Sequence, residues 1–411
     1  MEIRCAIDLV GSSEAQLNDD GVLRTADFYA CSILIVDDDQ MICELINAHL
    51  GAAGFQNTDI AHDGLEGLNR ITDTKPDVVI LDIEMPKLTG IQVLEKIRSD
   101  PRYDDMPIIV ETAKDKPDVR NEVLRAGATN IISKPIDFDV LIQRVRDHLS
   151  HRLLVKNLKA YQQRVRQELE AARGMQLQLL PRTRDIQKLE QKYGVKLDWH
   201  YNPSSELGGD WWGAHLINDQ KFGIFAVDFT GHGVGAAINT FRLHTIMEDI
   251  QPETNSPARY LEALNELLVD LIPRGQFATM HYAIIDIVEN TLTYASAGHT
   301  PPLIGNPDAK TLSVGDPSGL PMGIQKSIEY TDHEFDLRPG DFLLLYSDAL
   351  TETPGSDLLP LGDDGFADLV RETLSLPGDE VALQWLLDNF YTRSKEPPPD
   401  DVTAIWIQRQ R

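Results

Sequence analysis

Apolar runs that end abruptly in aspartate recur along this chain, and they restrict its fold more than any other feature. Phe222 to Ala226 reads as a buried strand. Val227-Asp228-Phe229-Thr230-Gly231-His232-Gly233-Val234-Gly235 follows it and turns into a helical pattern from Ala236 to Met247. An aspartate thus stands at a strand-to-helix corner beside glycine-rich backbone, a place suited to holding a hard cation with oxygen ligands. Alone, such an aspartate reads better as a helix N-cap. Three more stretches repeat the pattern. Gly208-Gly209-Asp210-Trp211-Trp212 sets an aspartate after a glycine pair, Phe342 to Tyr346 runs into Ser347-Asp348, and Pro399-Asp400-Asp401 precedes the apolar run Val402 to Ile407. Four carboxylates at strand ends fit convergence on one point of a β-sandwich, where they would repel one another without cations between them. Two bridged metals, activating a water for attack on phosphorus, are the natural solution.

In this order the four motifs resemble the metal-dependent protein phosphatase family (protein phosphatase 2C), and more closely its SpoIIE-like branch. Ser296-Ala297-Gly298-His299-Thr300-Pro301-Pro302-Leu303, Gly319-Leu320-Pro321-Met322-Gly323-Ile324 and the opening segment Gln176 to Pro181 support the likeness, which covers roughly the second half of the chain. The resemblance implies Asp210, Asp228, Asp348 and Asp400 as catalytic metal ligands, with a backbone carbonyl from Phe229. It also implies two Mg2+ or Mn2+ ions and direct hydrolysis of phosphoserine or phosphothreonine. Two positions depart from the pattern: Ala349 stands where glycine often follows the third aspartate, and Gly213 where the branch often has an acid. Asp401 reads as a hydrogen-bond acceptor, His232 as stabilising its turn, His299 as structural, and Trp211 and Trp212 as core or interface.

From Ile33 strands and helices alternate. Ile33 to Val36 ends in Asp37-Asp38-Asp39, Val78 to Leu81 ends at Asp82, Ile108 to Val110 ends near Thr112, and Ile131-Ile132 leads to Ser133-Lys134-Pro135. Such repeats imply a parallel, doubly wound sheet, which binds ligands at the carboxyl ends of its strands. Asp37, Asp38, Asp82, Thr112 and Lys134 all fall there. The stretch resembles the flavodoxin-like receiver domain of response regulators. That resemblance implies Asp82 as the phosphoacceptor, and Mg2+ held by Asp37, Asp38, Asp82 and the Glu84 carbonyl. Thr112 would bond the phosphoryl group and Lys134 would pair with it. Lys134-Pro135 is the expected cis peptide, and Ile131 stands where the family often has an aromatic switch residue.

Between the two stretches Leu141, Val145, Leu149, Leu154, Leu158, Tyr161, Val165, Leu169, Ala172 and Met175 recur at nearly heptad spacing. One helix running towards Gly174 and stopped by Pro181 is expected. A parallel dimeric coiled coil is favoured over a connector packed on one domain. The expected domains are a flexible leader (1–30), an α/β receiver (31–150), a helical linker and possible coiled coil (151–190), and an α+β phosphatase β-sandwich flanked by helices (191–411).

A formal net charge of -27 argues against nucleic-acid binding. No run approaches the ~18 apolar residues of a membrane span. Cys5, Cys31 and Cys43 fit no zinc motif, and a reducing cytoplasm is expected. The expected function is a two-component response regulator whose phosphorylation at Asp82 controls a serine/threonine phosphatase. Its expected partners are a sensor histidine kinase or phosphotransfer protein, a phosphorylated anti-sigma-factor antagonist as substrate, and a second copy of the chain through the linker helix. Two alternatives remain: a receiver-controlled binding module with weak or no catalysis, and a constitutive phosphatase whose receiver only dimerises.

Overall fold

The structure, a computed structural model, describes residues 28–113, 117–250, 255–355, 359–375, 382–394 and 397–411. The leader expected over 1–30 lies outside the described residues as far as residue 27. The chain divides into two compact units, Met1–Val165 and Arg166–Arg411.

In the first unit five strands, β1 (Ile33–Val36), β2 (Thr58–Ala61), β3 (Val78–Asp82), β4 (Ile108–Thr112) and β5 (Asn130–Ser133), pair in parallel in the order β2-β1-β3-β4-β5. They alternate with helices α1 (Gln40–Ala52), α2 (Gly64–Thr74), α3 (Gly90–Arg98) and α4 (Pro117–Arg125) and a 3-10 turn at Pro101–Tyr103, and lead into the long α5 (Phe138–Gln176), which runs on past Val165. Every residue of β1 and β3 is buried, as a parallel sheet covered on both faces requires. Alternation decides which layer each residue joins. Ile33, Ile35 and Ile80 pack with Cys43 and Ile46 of α1 and with Leu141, Val145 and Leu149 of α5. Leu34, Val36 and Leu81 pack with Ile71 of α2, Val93 and Ile97 of α3, and Val123 of α4. This is the expected doubly wound receiver fold. Edge strand β2 gave no usable apolar signal, because of its four residues only Ala61 is buried.

The heptad expectation needs correction. Leu141, Val145 and Leu149 are not part of an exposed seam; they belong to the core of the first unit, and Leu153 rather than Leu154 continues their face. Beyond Leu153 three apolar residues turn outward, Leu154 being 61% exposed, Leu158 55% and Tyr161 58%, while Val165, Leu169 and Ala172 are half-buried. Nor is 151–190 one linker. After a 3-10 turn at Leu177–Leu179, a separate helix α6 (Thr183–Tyr193) buries Ile186, Leu189 and Tyr193 in the core of the second unit.

That unit contains two five-stranded antiparallel sheets. β6 (Val195–Asn202) is separated in sequence from its own sheet by β7 (Asp210–Leu216), β8 (Lys221–Phe229), β9 (Ala278–Asp286) and β10 (Thr291–Ala297). Then follow β11 (Leu303–Asn306), β12 (Thr311–Val314), β13 (His333–Asp336), β14 (Phe342–Tyr346) and β15 (Val402–Arg409). The sheet orders are β13-β10-β9-β8-β7 and β12-β11-β14-β15-β6. The inward residues Leu343, Leu345, Ile405 and Ile407 of the second sheet share one core with Trp212, Ile224 and Ile285 of the first, as in a sandwich. Helices α7 (Val234–Asp249) and α8 (Pro257–Leu268) add Leu243, Leu261 and Leu264 to that core. The outward residues Phe342, Leu344, Tyr346 and Trp406 pack instead on α10 (Gly362–Thr373) and α11 (Ala382–Arg393), which follow the short α9 (Ala349–Glu352). Among the described residues no helix is long and apolar enough to cross a membrane.

Candidate functional site

Strand register pairs two of the expected aspartates and sets the other two at a strand end. Antiparallel pairing sets Asp210 directly opposite Asp228, and Asp228 opposite Thr279. In the other sheet β14 pairs with β15, Tyr346 opposite Ala404. Asp348, two residues past Tyr346, and Asp400, two before Val402, therefore lie at one end of that sheet. Two contacts tie the sheets at this end. Thr403 Oγ1 donates to Asp210 Oδ2 at 2.5 Å. The Asp401 carboxylate, 2% exposed, accepts from Gly209 N at 2.6 Å, from Asp210 N at 3.3 Å, and from Ser204 N and Oγ at 2.7 and 3.0 Å. Asp401 is thus a hydrogen-bond acceptor, as the sequence suggested. Backbone approach here is close. A Cβ on Gly209 would sit 2.6 Å from the Phe229 carbonyl oxygen and 2.9 Å from that of Gly231, so only glycine fits.

The electrostatics are those of acids crowded out of water. Burial, and then the Asp228 charge, raise the Asp210 carboxyl well above the carboxylate range. Burial, with Asp348 and Asp400, pushes Asp228 to about 8. Burial, with Asp400, lifts Asp348 to about 6, and Asp400 is raised chiefly by its own burial. His232 is exposed, and its charge tends to lower Asp400. His299 is buried, its Nδ1 bonded to Thr279 Oγ1 at 2.9 Å, and Trp211 and Trp212 are core residues. Phe229 is fully buried.

In the first unit Asp37, Asp38 and Asp82 meet at the carboxyl ends of β1 and β3. Among the described residues theirs is the only set of three histidine, cysteine or acidic side chains whose ligand atoms lie within 4.8 Å of one another. Lys134 Nζ bridges Asp37 and Asp82, 2.9 Å from Asp37 Oδ2 and 2.7 Å from Asp82 Oδ1. Burial alone would lower the Lys134 ammonium, but these ion pairs outweigh it and raise it. Burial likewise raises Asp82 against the pull of Lys134. Thr112, at the end of β4, is buried, and its carbonyl accepts from Lys134 N at 2.8 Å. Glu84 N donates to Asp82 Oδ2 at 2.9 Å. Lys134-Pro135 is cis.

Two supporting residues escaped the sequence reading. Thr403 carried a faint signal, a hydroxyl in an otherwise apolar strand. Gln176 was read only as the first residue of the opening segment Gln176 to Pro181, with no role of its own, yet its side chain is buried and bonded to Gly208.

Comparison with known proteins agrees with this division. Residues 218–410 match the family model described as Stage II sporulation protein E (SpoIIE), and residues 33–146 match that of the response regulator receiver domain. The chain is 30% identical over 190 residues to phosphoserine phosphatase RsbP of Bacillus subtilis (strain 168), covering 44% of this chain and 47% of that protein. It is 40% identical over 114 residues to response regulator MprA of Mycobacterium avium (strain 104), covering 28% of this chain and 49% of that protein. The chain therefore spans about half the length of the curated relatives it matches. The SiaA-PP2C domain of Pseudomonas aeruginosa aligns with a TM-score of 0.51 and 21% identity over 61% of this chain and 98% of that one, a likeness of fold alone.

Proposed function

Because the chain carries a response regulator receiver domain followed by a domain of the SpoIIE family, we propose that it is a response regulator whose output is a metal-dependent phosphoserine/phosphothreonine phosphatase. The observation that supports this most is Asp210 set directly opposite Asp228, with Asp348 and Asp400 near enough for their charges to raise the Asp228 carboxyl. The donor set fits divalent cations. It is all oxygen, and its carboxyls are too buried and too crowded by like charge to stay ionised without positive charge between them. Asp210, Asp228, Asp348 and Asp400, with the Phe229 carbonyl, would hold two Mg2+ or Mn2+ ions. When bound, such ions neutralise charge on the phosphoryl group and make water acidic enough to be a nucleophile near neutral pH.

The chain's own residues do the positioning. Thr403 fixes one Asp210 oxygen, and Asp401 holds the Gly209 and Asp210 amides. In the receiver, an Asp82 oxygen would attack a phosphohistidine of a sensor histidine kinase or phosphotransfer protein; the P–O bond forms as the P–N bond breaks. Mg2+ would lie among Asp37, Asp38, Asp82 and the Glu84 carbonyl, and Lys134, already paired with Asp82, would turn to the new phosphoryl group with Thr112. The substrate of this reading is a phosphorylated anti-sigma-factor antagonist, the class that the SpoIIE-like resemblance implies. The chain would work in the cytoplasm as a dimer joined through α5.

The test is hydrolysis of p-nitrophenyl phosphate with Mn2+, comparing wild type with Asp228→Ala, with and without acetyl phosphate. Turnover abolished by the substitution and altered by acetyl phosphate is expected. No turnover with any divalent ion, from folded protein, would instead favour a receiver-controlled binding module. Turnover indifferent to verified Asp82 phosphorylation would remove the switch and leave the enzyme.

A further inference from the structure

Gln176 is the last residue of α5, and it is only 4% exposed. A primary amide buried without partners is costly, and here both of its polar atoms are used. Nε2 donates to the Gly208 carbonyl at 2.7 Å and lies 3.4 Å from Thr240 Oγ1, while Oε1 accepts from Gly208 N at 3.2 Å. One side chain thus pairs with both peptide groups of a single residue, much as a neighbouring strand would. The residue it grips is two positions before Asp210. The same loop is held elsewhere by backbone: Gly233 N donates to the Leu207 carbonyl at 3.1 Å, and Phe229 N to the Gly209 carbonyl at 3.3 Å. Asp401 takes the Gly209 and Asp210 amides. Of these clamps, only Gln176 comes from α5.

We propose that Gln176 is a positioning residue for Asp210. Its amide holds the Leu207–Gly209 loop in the conformation that sets Asp210 opposite Asp228, and so makes order at the site depend on the last turn of α5. The chemistry demands this side chain. Glutamate lacks the donor, methionine lacks the donor and offers only a weak thioether acceptor, and asparagine is one methylene short. The start of α5 is built into the core of the first unit through Leu141, Val145 and Leu149. A twist or fraying at the far end of that helix would withdraw Gln176 before it disturbed either sheet of the second unit. The inference rests on the proposed phosphatase activity for what Asp210 does, though not for what Gln176 holds.

The test uses the full chain as wild type, Gln176→Glu and Gln176→Met, with three readouts. These are hydrogen–deuterium exchange over 204–212, Mn2+ affinity by calorimetry, and kcat and KM for p-nitrophenyl phosphate. Faster exchange confined to the loop, Mn2+ binding weakened by about 10- to 100-fold, and a fall in kcat with little change in KM are expected in both variants. Unchanged loop exchange and unchanged Mn2+ affinity would overturn the proposal. If Gln176→Met unfolds, Gln176→Glu, which keeps the length and the acceptor, decides by the same readouts. An inactive wild type whose variants still loosen the loop would overturn the phosphatase reading and support the positioning role.

Discussion

Glu111 lies fully buried on β4 beside Thr112, and neither of its carboxylate oxygens has a hydrogen-bond partner. Burial pushes this acid up to about 8, with Asp37 and Asp82 adding to the effect and Lys134 opposing it. The sign of the consequence follows from linkage. In the unfolded chain Glu111 ionises near its ordinary 4.5, whereas in the folded chain it keeps its proton to about 8. The folded state therefore binds the extra proton across that window, and stability falls as pH rises through it, by up to about 1.4 kcal/mol per pH unit. Glu111→Gln should flatten this slope. Native-state hydrogen exchange of the slowest amides in β1 and β3, followed between about pH 5 and 8, measures it; parallel pH profiles for wild type and variant would refute the assignment. The group is a reminder that an acid can stand at the edge of the proposed phosphoacceptor pocket as a neutral packing residue, while Asp82, its direct register partner on β3, stays paired with Lys134.

At the scale of elements, α5 separates what the sequence could tell from what it could not. Its length was legible, because no proline or glycine interrupts the apolar spacing until Gly174. Which residues would be core was not, since Leu149 and Leu158 carry the same pattern and only packing on the first unit distinguishes them. α6 was absorbed into the linker for the same reason: Ile186, Leu189 and Tyr193 repeat as any amphipathic helix does. The strand ends were the clearest features, because buried apolar runs stop at Asp82, Asp228 and Asp348. The sheet orders were not legible, since register depends on partners far away in sequence, and neither was the grip of Gln176, whose reason lies 32 residues off at Gly208. The outward Leu154, Leu158 and Tyr161 are the surface on which dimerisation through α5 would rest. Leu158→Glu should convert a dimer into a monomer in sedimentation equilibrium, with both units still folded; a wild type that is monomeric at the same concentrations would dismiss the coiled coil.

For the whole molecule, cations held by the crowded acids as proposed would be part of its stability. All five tryptophans, Trp199, Trp211, Trp212, Trp385 and Trp406, lie in the second unit, so indole fluorescence reports its unfolding alone. Ligand binding to the folded state alone stabilises it by mass action. Chelating divalent ions should therefore lower the fluorescence-detected unfolding temperature of wild type, and leave that of Asp228→Asn nearly unmoved. Equal sensitivity of the two proteins would show that the ions bind elsewhere. β15 has a separate consequence. It lies inside its sheet, between β14 and β6, and it follows the Asp400-Asp401 pair that meets the Gly209-Asp210 loop across 191 residues. Contacts of such range close late and slowly. A nascent chain emerging from the ribosome would thus carry most of both sheets and three of the four aspartates while having no assembled site. Synthesis of Val402–Arg409 would be the step that completes it, so that prematurely terminated products would be inert rather than unregulated.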